Sequence, residues 1–235
     1  MVRRVAAARA GFWLAALGSA VSAPMAAQGT VSGQVTLAEH GSSARRDVAQ
    51  AVVYLEPANR ASRFDRAGGE PAVVSIAMRD RQFTPRIQIV RAGGRVDFPN
   101  EDPFSHNVFS NTSLGAFDLG LYRRGATRAA TFSRVGVYAI YCNIHSSMVS
   151  FVVAVPTTAF ARVEADGRFT MQDVPAGSYL LHVWHERAPE AIEKLDVPAA
   201  GIRALSVTLD TRGFVATSHL NKFGQPYAPA RADRY

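Results

Sequence analysis

Short apolar or alternating runs, each cut off by Gly, Pro, Asn or Asp, recur along this chain and narrow its fold more than any other feature. They are Val31 to Leu37, Ala51 to Leu55, Val73 to Met78, Ile87 to Val90, Arg95 to Phe98, Asn107 to Ser110, Arg128 to Phe132, Val137 to Cys142, Phe151 to Val155, Arg168 to Met171, Ser178 to His185 and Ala204 to Leu209. Runs of four to eight residues with period-two alternation and turn residues at both ends are strands. The spacing predicts an all-β chain. Helix is expected only as one short turn over Ala188 to Leu195, and residues 213–235, with Pro226 and Pro229 and few apolar anchors, as an irregular tail.

Residues 1–27 have the layout of a secretory leader. Arg3, Arg4 and Arg9 precede an apolar stretch, and no charge then appears until Glu39. The stretch from Ala10 to Ala23 is diluted by Gly11, Gly18 and Ser19 and stopped by Pro24, so it is too short for a permanent membrane span. The residues around Arg3-Arg4 favour general secretion over a twin-arginine signal. A periplasmic or secreted protein is expected. Loss of the three arginines lowers the formal net charge from +7 to +4. With no dense Lys/Arg run, that surplus suits an acidic protein partner rather than nucleic acid.

Cys142 is the one cysteine. In an oxidising compartment a lone thiol has no internal partner and is prone to oxidation, so it needs a chemical reason to be there. Cys142, His145 and Met148 form a Cys-x-x-His-x-x-Met run directly after the apolar strand Val137 to Tyr141. That places a thiolate, an imidazole and a thioether on one tight loop. Soft sulfur with imidazole selects copper, and two His, one Cys and a weak axial Met make a blue-copper centre. His106, on a separate loop after the strand ending at Phe98, supplies the second imidazole.

Taken singly, His106 reads as a hydrogen-bonded loop histidine, Cys142 as a small buried hydrophobe and Met148 as a core filler. Their conjunction favours the metal. Structural zinc wants four strong ligands, and neither a second cysteine nor a better ligand than Met is at hand. A Cys/His nucleophile leaves Met148 idle and has no evident orienting acid.

Phe83-Thr84-Pro85, Val96-Asp97-Phe98-Pro99-Asn100, His106-Asn107-Val108, Phe117-Asp118-Leu119-Gly120, Gly136-Val137-Tyr138 and Cys142-Asn143-Ile144-His145 together resemble the cupredoxins. The Cys-x-x-His-x-x-Met loop is most similar to amicyanin, and the whole chain resembles plastocyanin-like proteins of the methylamine utilization type. The resemblance implies a Greek-key β-sandwich with one copper ion at its end. His106, Cys142 and His145 would then be equatorial ligands and Met148 axial. It also implies that Asn100 ties the His106 loop to the cysteine loop, that His145 is the electron exit, and that Pro103, Phe104 and Met148 form an apolar patch around it.

Ala165-Asp166-Gly167-Arg168-Phe169-Thr170 and Asp173-Val174-Pro175-Ala176-Gly177-Ser178-Tyr179 form strands joined by tight turns. They resemble transthyretin-like or carboxypeptidase-regulatory-like β-sandwich domains, whose early strands match Gly33-Gln34-Val35 and Ala51-Val52-Val53-Tyr54-Leu55. These lie before the copper unit. The expected organisation is therefore early strands over 28–57, a copper unit over 71–155 inserted through crossings at Pro57 to Glu70 and Pro156 to Phe160, and the rest of the outer sandwich over 156–212. His182 and His185 are three apart on one strand, face opposite sides and read as structural. The expected function is one-electron transfer to a redox partner protein, without enzymatic activity. Copper storage, delivery or an accessory role, with the second sandwich binding protein or carbohydrate, is the alternative.

Overall fold

The computed structural model describes residues 28–39, 47–59, 73–216 and 218–227. The expected leader lies outside the described residues, as do most of the Pro57 to Glu70 crossing and residues 228–235 of the tail. Among the described residues the chain is all-β, with one 3-10 turn at Val48–Gln50. The strands are β1 (Gln28–Ala38), β2 (Val52–Pro57), β3 (Val74–Ser75), β4 (Ala77–Arg79), β5 (Gln82–Thr84), β6 (Ile87–Arg91), β7 (Gly94–Pro99), β8 (His106–Ser110) and β9 (Phe117–Tyr122). They continue as β10 (Thr127–Phe132), β11 (Gly136–Tyr141), β12 (Val149–Val155), β13 (Phe160–Arg162), β14 (Arg168–Pro175), β15 (Gly177–His185), β16 (Ala188–Val197) and β17 (Gly201–Asp210).

Two sandwiches result. The inner one packs the sheet β10-β7-β3 against β6-β12-β11-β8-β9, and the β4-β5 hairpin sits beside them. Its core holds Val96, Phe98, Val108, Phe132, Tyr138, Ile140, Val152 and Ala154, together with Cys142 and Met148. The outer one packs β14-β1-β17 against β13-β2-β15-β16 around Val35, Leu55, Phe169, Leu181 and Leu209. Its strands come from both sides of the inner unit: Tyr54 of β2 pairs with Phe160 of β13, and Thr30 of β1 with Gly201 of β17.

A third apolar layer joins the sandwiches. Val52, Tyr54 and Trp184 from β2 and β15 meet Ile87, Ile89, Val153 and Val155 from β6 and β12. The four sheets are thus stacked, and the strands of the two middle ones that meet there, β2, β15, β6 and β12, are covered on both faces. Strands covered on both faces read as unbroken apolar runs rather than as alternation, which explains Ala51 to Leu55 and Phe151 to Val155. Each fully buried Val, Leu, Ile or Phe contributes about 1.5–3 kcal/mol of transfer free energy, so the middle layer is a substantial joint. Arg86 adds a forked ion pair to Glu186 across it, with its closest contact at 2.7 Å.

One expectation is corrected. Ala188 to Leu195 is no helical turn but most of β16, the ten-residue edge strand of its sheet. The described part of the tail carries no helix or strand, and its residues 218–227 pack on the inner sandwich through Lys222, His219 and Tyr227.

Candidate metal centre

Strand alternation aims the cysteine. Tyr138 and Ile140 on β11 point into the inner core, and the same period carries Cys142 inward, where it is fully buried. The chain then closes a short loop before β12 begins. Met148 N–H donates to the His145 carbonyl at 3.1 Å and Cys142 N–H to the Met148 carbonyl at 3.3 Å. This closure returns Met148, also fully buried, to the cluster that holds Cys142 and leaves His145 half-buried at the loop's tip.

His106 opens β8 and is fully buried. The loop before it is shaped by Asn100, whose Nδ2 donates to the carbonyls of Phe104 (2.9 Å) and Tyr122 (3.0 Å) and whose Oδ1 accepts Asp102 N–H at 3.0 Å. Asn100 therefore holds the His106 loop to β9. None of these bonds reaches the cysteine loop, which corrects the expectation that Asn100 links the two ligand loops.

Cys142 Sγ lies 3.8 Å from His106 Nδ1 and 3.7 Å from His145 Nδ1, and the two Nδ1 atoms are 3.2 Å apart. The point equidistant from three such atoms is about 2.1 Å from each, the length of a metal–nitrogen bond and close to that of a metal–sulfur bond. Among the described residues this is the one group of three His, Cys, Asp or Glu side chains whose ligand atoms converge. Its donors are nitrogen and sulfur. The nearby carboxylate of Asp102 is spent on the far side of His106, 2.7 Å from Nε2. A soft donor set of this kind fits copper and does not suit a hard, oxygen-seeking cation.

Asp102 is the functional residue that sequence reasoning missed. Its oxygens also accept the N–H groups of Asp80 (2.7 Å) and Arg81 (3.0 Å). Burial alone would raise its pKa, yet the bonds from Arg81 N–H, His106 and Asp80 N–H hold it below the usual carboxylate range. An ionised Asp102 can only accept, so Nε2 of His106 is the donor of that bond and Nδ1 is the nitrogen turned toward Cys142. His145 stands in a different electrostatic setting. Burial lowers its pKa first, then the neighbouring His106 and Arg81, against an opposing pull from Asp102.

Around His145 the Phe104 ring approaches both histidines, with centroids 5.2 Å from His106 and 5.8 Å from His145, and Arg81 lies over it at 4.8 Å. Pro103 and Ile144 are exposed. Met148 is not part of this surface, contrary to expectation, because it is fully buried. In the outer sandwich His182 stacks on Tyr54, with Nδ1 2.9 Å from Glu190 and Nε2 3.3 Å from Glu56 on opposite ring edges. His185 Nε2 meets the Asp47 carbonyl at 3.1 Å.

No family model matches the chain, and no curated protein matches it. Solved structures match part of it. A purple cupredoxin from Nitrosopumilus maritimus is 21% identical over 35% of this chain and 99% of its own, with a TM-score of 0.32. Amicyanin from Paracoccus versutus is 18% identical over 43% of this chain and 98% of its own, with a TM-score of 0.34. A copper-containing nitrite reductase from Thermus scotoductus is 23% identical over 43% of this chain and 25% of its own, also at 0.34.

Proposed function

We propose that this chain is an exported type 1 copper protein of the cupredoxin kind that passes single electrons to and from a protein partner, rather than an enzyme. The observation that carries the reading is the triangle of Cys142 Sγ, His106 Nδ1 and His145 Nδ1, with sides matching a three-coordinate thiolate–imidazole site and Met148 buried beside it. Bound there, copper supplies a one-electron couple.

The residues supply the rest. His106, Cys142 and Met148 are sealed from water, and Asp102 locks the His106 ring, so the donors are held in place before any metal arrives. A preorganised donor set resists the change of shape that would otherwise accompany a change of oxidation state. His145 alone of the four reaches the surface, beside Phe104 and Ile144, and is the natural contact for a partner. Arg81 over Phe104 gives that surface a positive edge, which favours an acidic partner. The leader-like start supports export to the periplasm or beyond.

Copper-loaded protein is expected to show an intense visible thiolate-to-copper band and narrow copper hyperfine splitting, both abolished in Cys142→Ser. A colourless copper complex would sink the proposal. Reversible electron exchange with a protein partner supports transfer, whereas hand-over of copper to an acceptor apo-protein without redox turnover assigns delivery instead.

A further inference from the structure

The C-terminal segment makes contacts that a redox site of four side chains does not require. Asn221 builds its turn: Oδ1 accepts the N–H groups of Phe223 (2.9 Å) and Gln225 (3.1 Å), and Asn221 N–H donates to the Gln225 carbonyl at 2.8 Å. Gly224, in the left-handed region at φ +73°, donates back to the Asn221 carbonyl at 2.9 Å. The turn is therefore a shaped element that holds itself together.

Four contacts run from it toward the metal centre. Tyr227 Oη donates to the Cys142 carbonyl at 2.7 Å. Lys222 N–H donates to Asn143 Oδ1 at 3.0 Å. The His219 ring stacks on Tyr141, the residue before the cysteine, at 4.0 Å and 20°. Lys222 Nζ pairs with Asp118 at 2.6 Å, and Asp118 in turn accepts Asn107 Nδ2, next to His106, at 2.6 Å. Three of the contacts fall on consecutive residues, 141 to 143, and the fourth leads to the neighbour of the other histidine.

We propose that residues 218–227 are a strap that positions the metal ligands, with Tyr227 and Lys222 as its positioning residues. The inference rests on the copper reading above. Without the strap, the closure of the cysteine loop depends on two backbone bonds of 3.1 and 3.3 Å. Tyr227 adds a shorter bond at the peptide of the thiolate residue itself, fixing the direction in which Cβ and Sγ leave the backbone. By drawing electron density from that peptide it also makes the thiolate a weaker donor. The Lys222–Asp118–Asn107 chain ties the His106 side of the site to the same segment, so one element restrains both ligand loops.

The test uses the full-length, copper-loaded protein. Tyr227→Phe is expected to shift the thiolate-to-copper band, lower the reduction potential and speed removal of copper by a chelator by about 10-fold. Gln225→Ala, on the same turn but bonded only through its backbone, should superimpose on wild type. If Tyr227→Phe fails to fold, Lys222→Met, which removes the bond to Asp118, is read in the same way. A folded variant with the band, hyperfine splitting, potential and chelation rate of wild type overturns the strap while leaving the copper reading intact. A wild-type copper complex without a thiolate band overturns that reading and the strap with it.

Discussion

Asp102 Oδ2 and His106 Nε2 stand 2.7 Å apart with both side chains buried, so a carboxylate holds from behind the one fully buried imidazole of the site. Asp102→Asn removes a negative charge close to the metal. Copper affinity should fall about 10- to 100-fold, measured by chelator competition, because the ring loses its charged acceptor and an amide cannot accept on both atoms as the carboxylate does. The reduction potential should rise, since Cu(I) is favoured once that charge is gone. Unchanged affinity together with an unchanged potential would remove Asp102 from the site.

Glu190 ties Tyr54 and His182 together at 2.9 Å each. Burial alone would raise its pKa, but the bonds from His182 and Tyr54 bring it below the usual carboxylate range. A depressed folded-state pKa contributes stability that is complete above the unfolded carboxylate value, about 4.3, and is lost as pH falls through the folded value. The gap in urea midpoint between wild type and Glu190→Gln should therefore narrow as pH falls below about 4.3. A gap independent of pH would rule this out.

Gly33 lies where the parallel pairing of β1 and β17 shifts register, and a Cβ there would stand 2.4 Å from the Leu205 carbonyl oxygen and 2.7 Å from Leu205 Cβ. Backbone on both sides of the clash leaves little room to yield. Gly33→Ala should cost about 1–3 kcal/mol in denaturant unfolding, like other overpacked sites. A wild-type midpoint would show that the two strands separate freely at this point.

Trp184 packs on Phe151 at 5.3 Å between centroids and belongs to the layer joining the two sandwiches. Trp184→Ala should destabilise the chain by about 3 kcal/mol, while the visible spectrum of the copper-loaded protein stays unchanged. A spectral change equal to that of the strap variants would mean that the middle layer also sets the ligand geometry.

The strands that sequence reasoning found, and the ligands of the cysteine loop, share one property: their chemistry is written in local spacing. Cys142, His145 and Met148 sit at the fixed intervals of a hairpin loop, and the alternation of Val137 to Tyr141 already points the cysteine inward. β16 was hidden because Ala188, Ala191, Ile192 and Leu195 repeat every three to four residues, the period of a helix face, while the strand is held by its ladder to β15. Gly120, at φ +69°, similarly breaks the run of β9.

Asp102 and Tyr227 were illegible for another reason. Asp102 sits four residues from its histidine, in a loop whose backbone path decides whether the two meet. Tyr227 bonds a carbonyl 85 residues earlier in the chain. Neither relation leaves a periodic trace, and the prolines and few apolar residues near the end of the chain gave no sign of the polar contacts that Lys222 and Tyr227 make.

The insertion of the inner sandwich, in sequence, between strands of the outer one also favours an order of assembly. All strands of the inner unit lie between Val74 and Val155, so it has every partner it needs as soon as that stretch has been made. β1 must wait for β14 and β17, meeting Pro175 and Gly201 from residues 28 and 30. Contacts so distant in sequence close slowly, and until they close β1 exposes both an apolar face and unpaired edges. Topology therefore favours early closure of the ligand-bearing unit and late closure of the outer strands, an order that pulse-labelling hydrogen exchange would read as earlier protection of β11 and β12 than of β1.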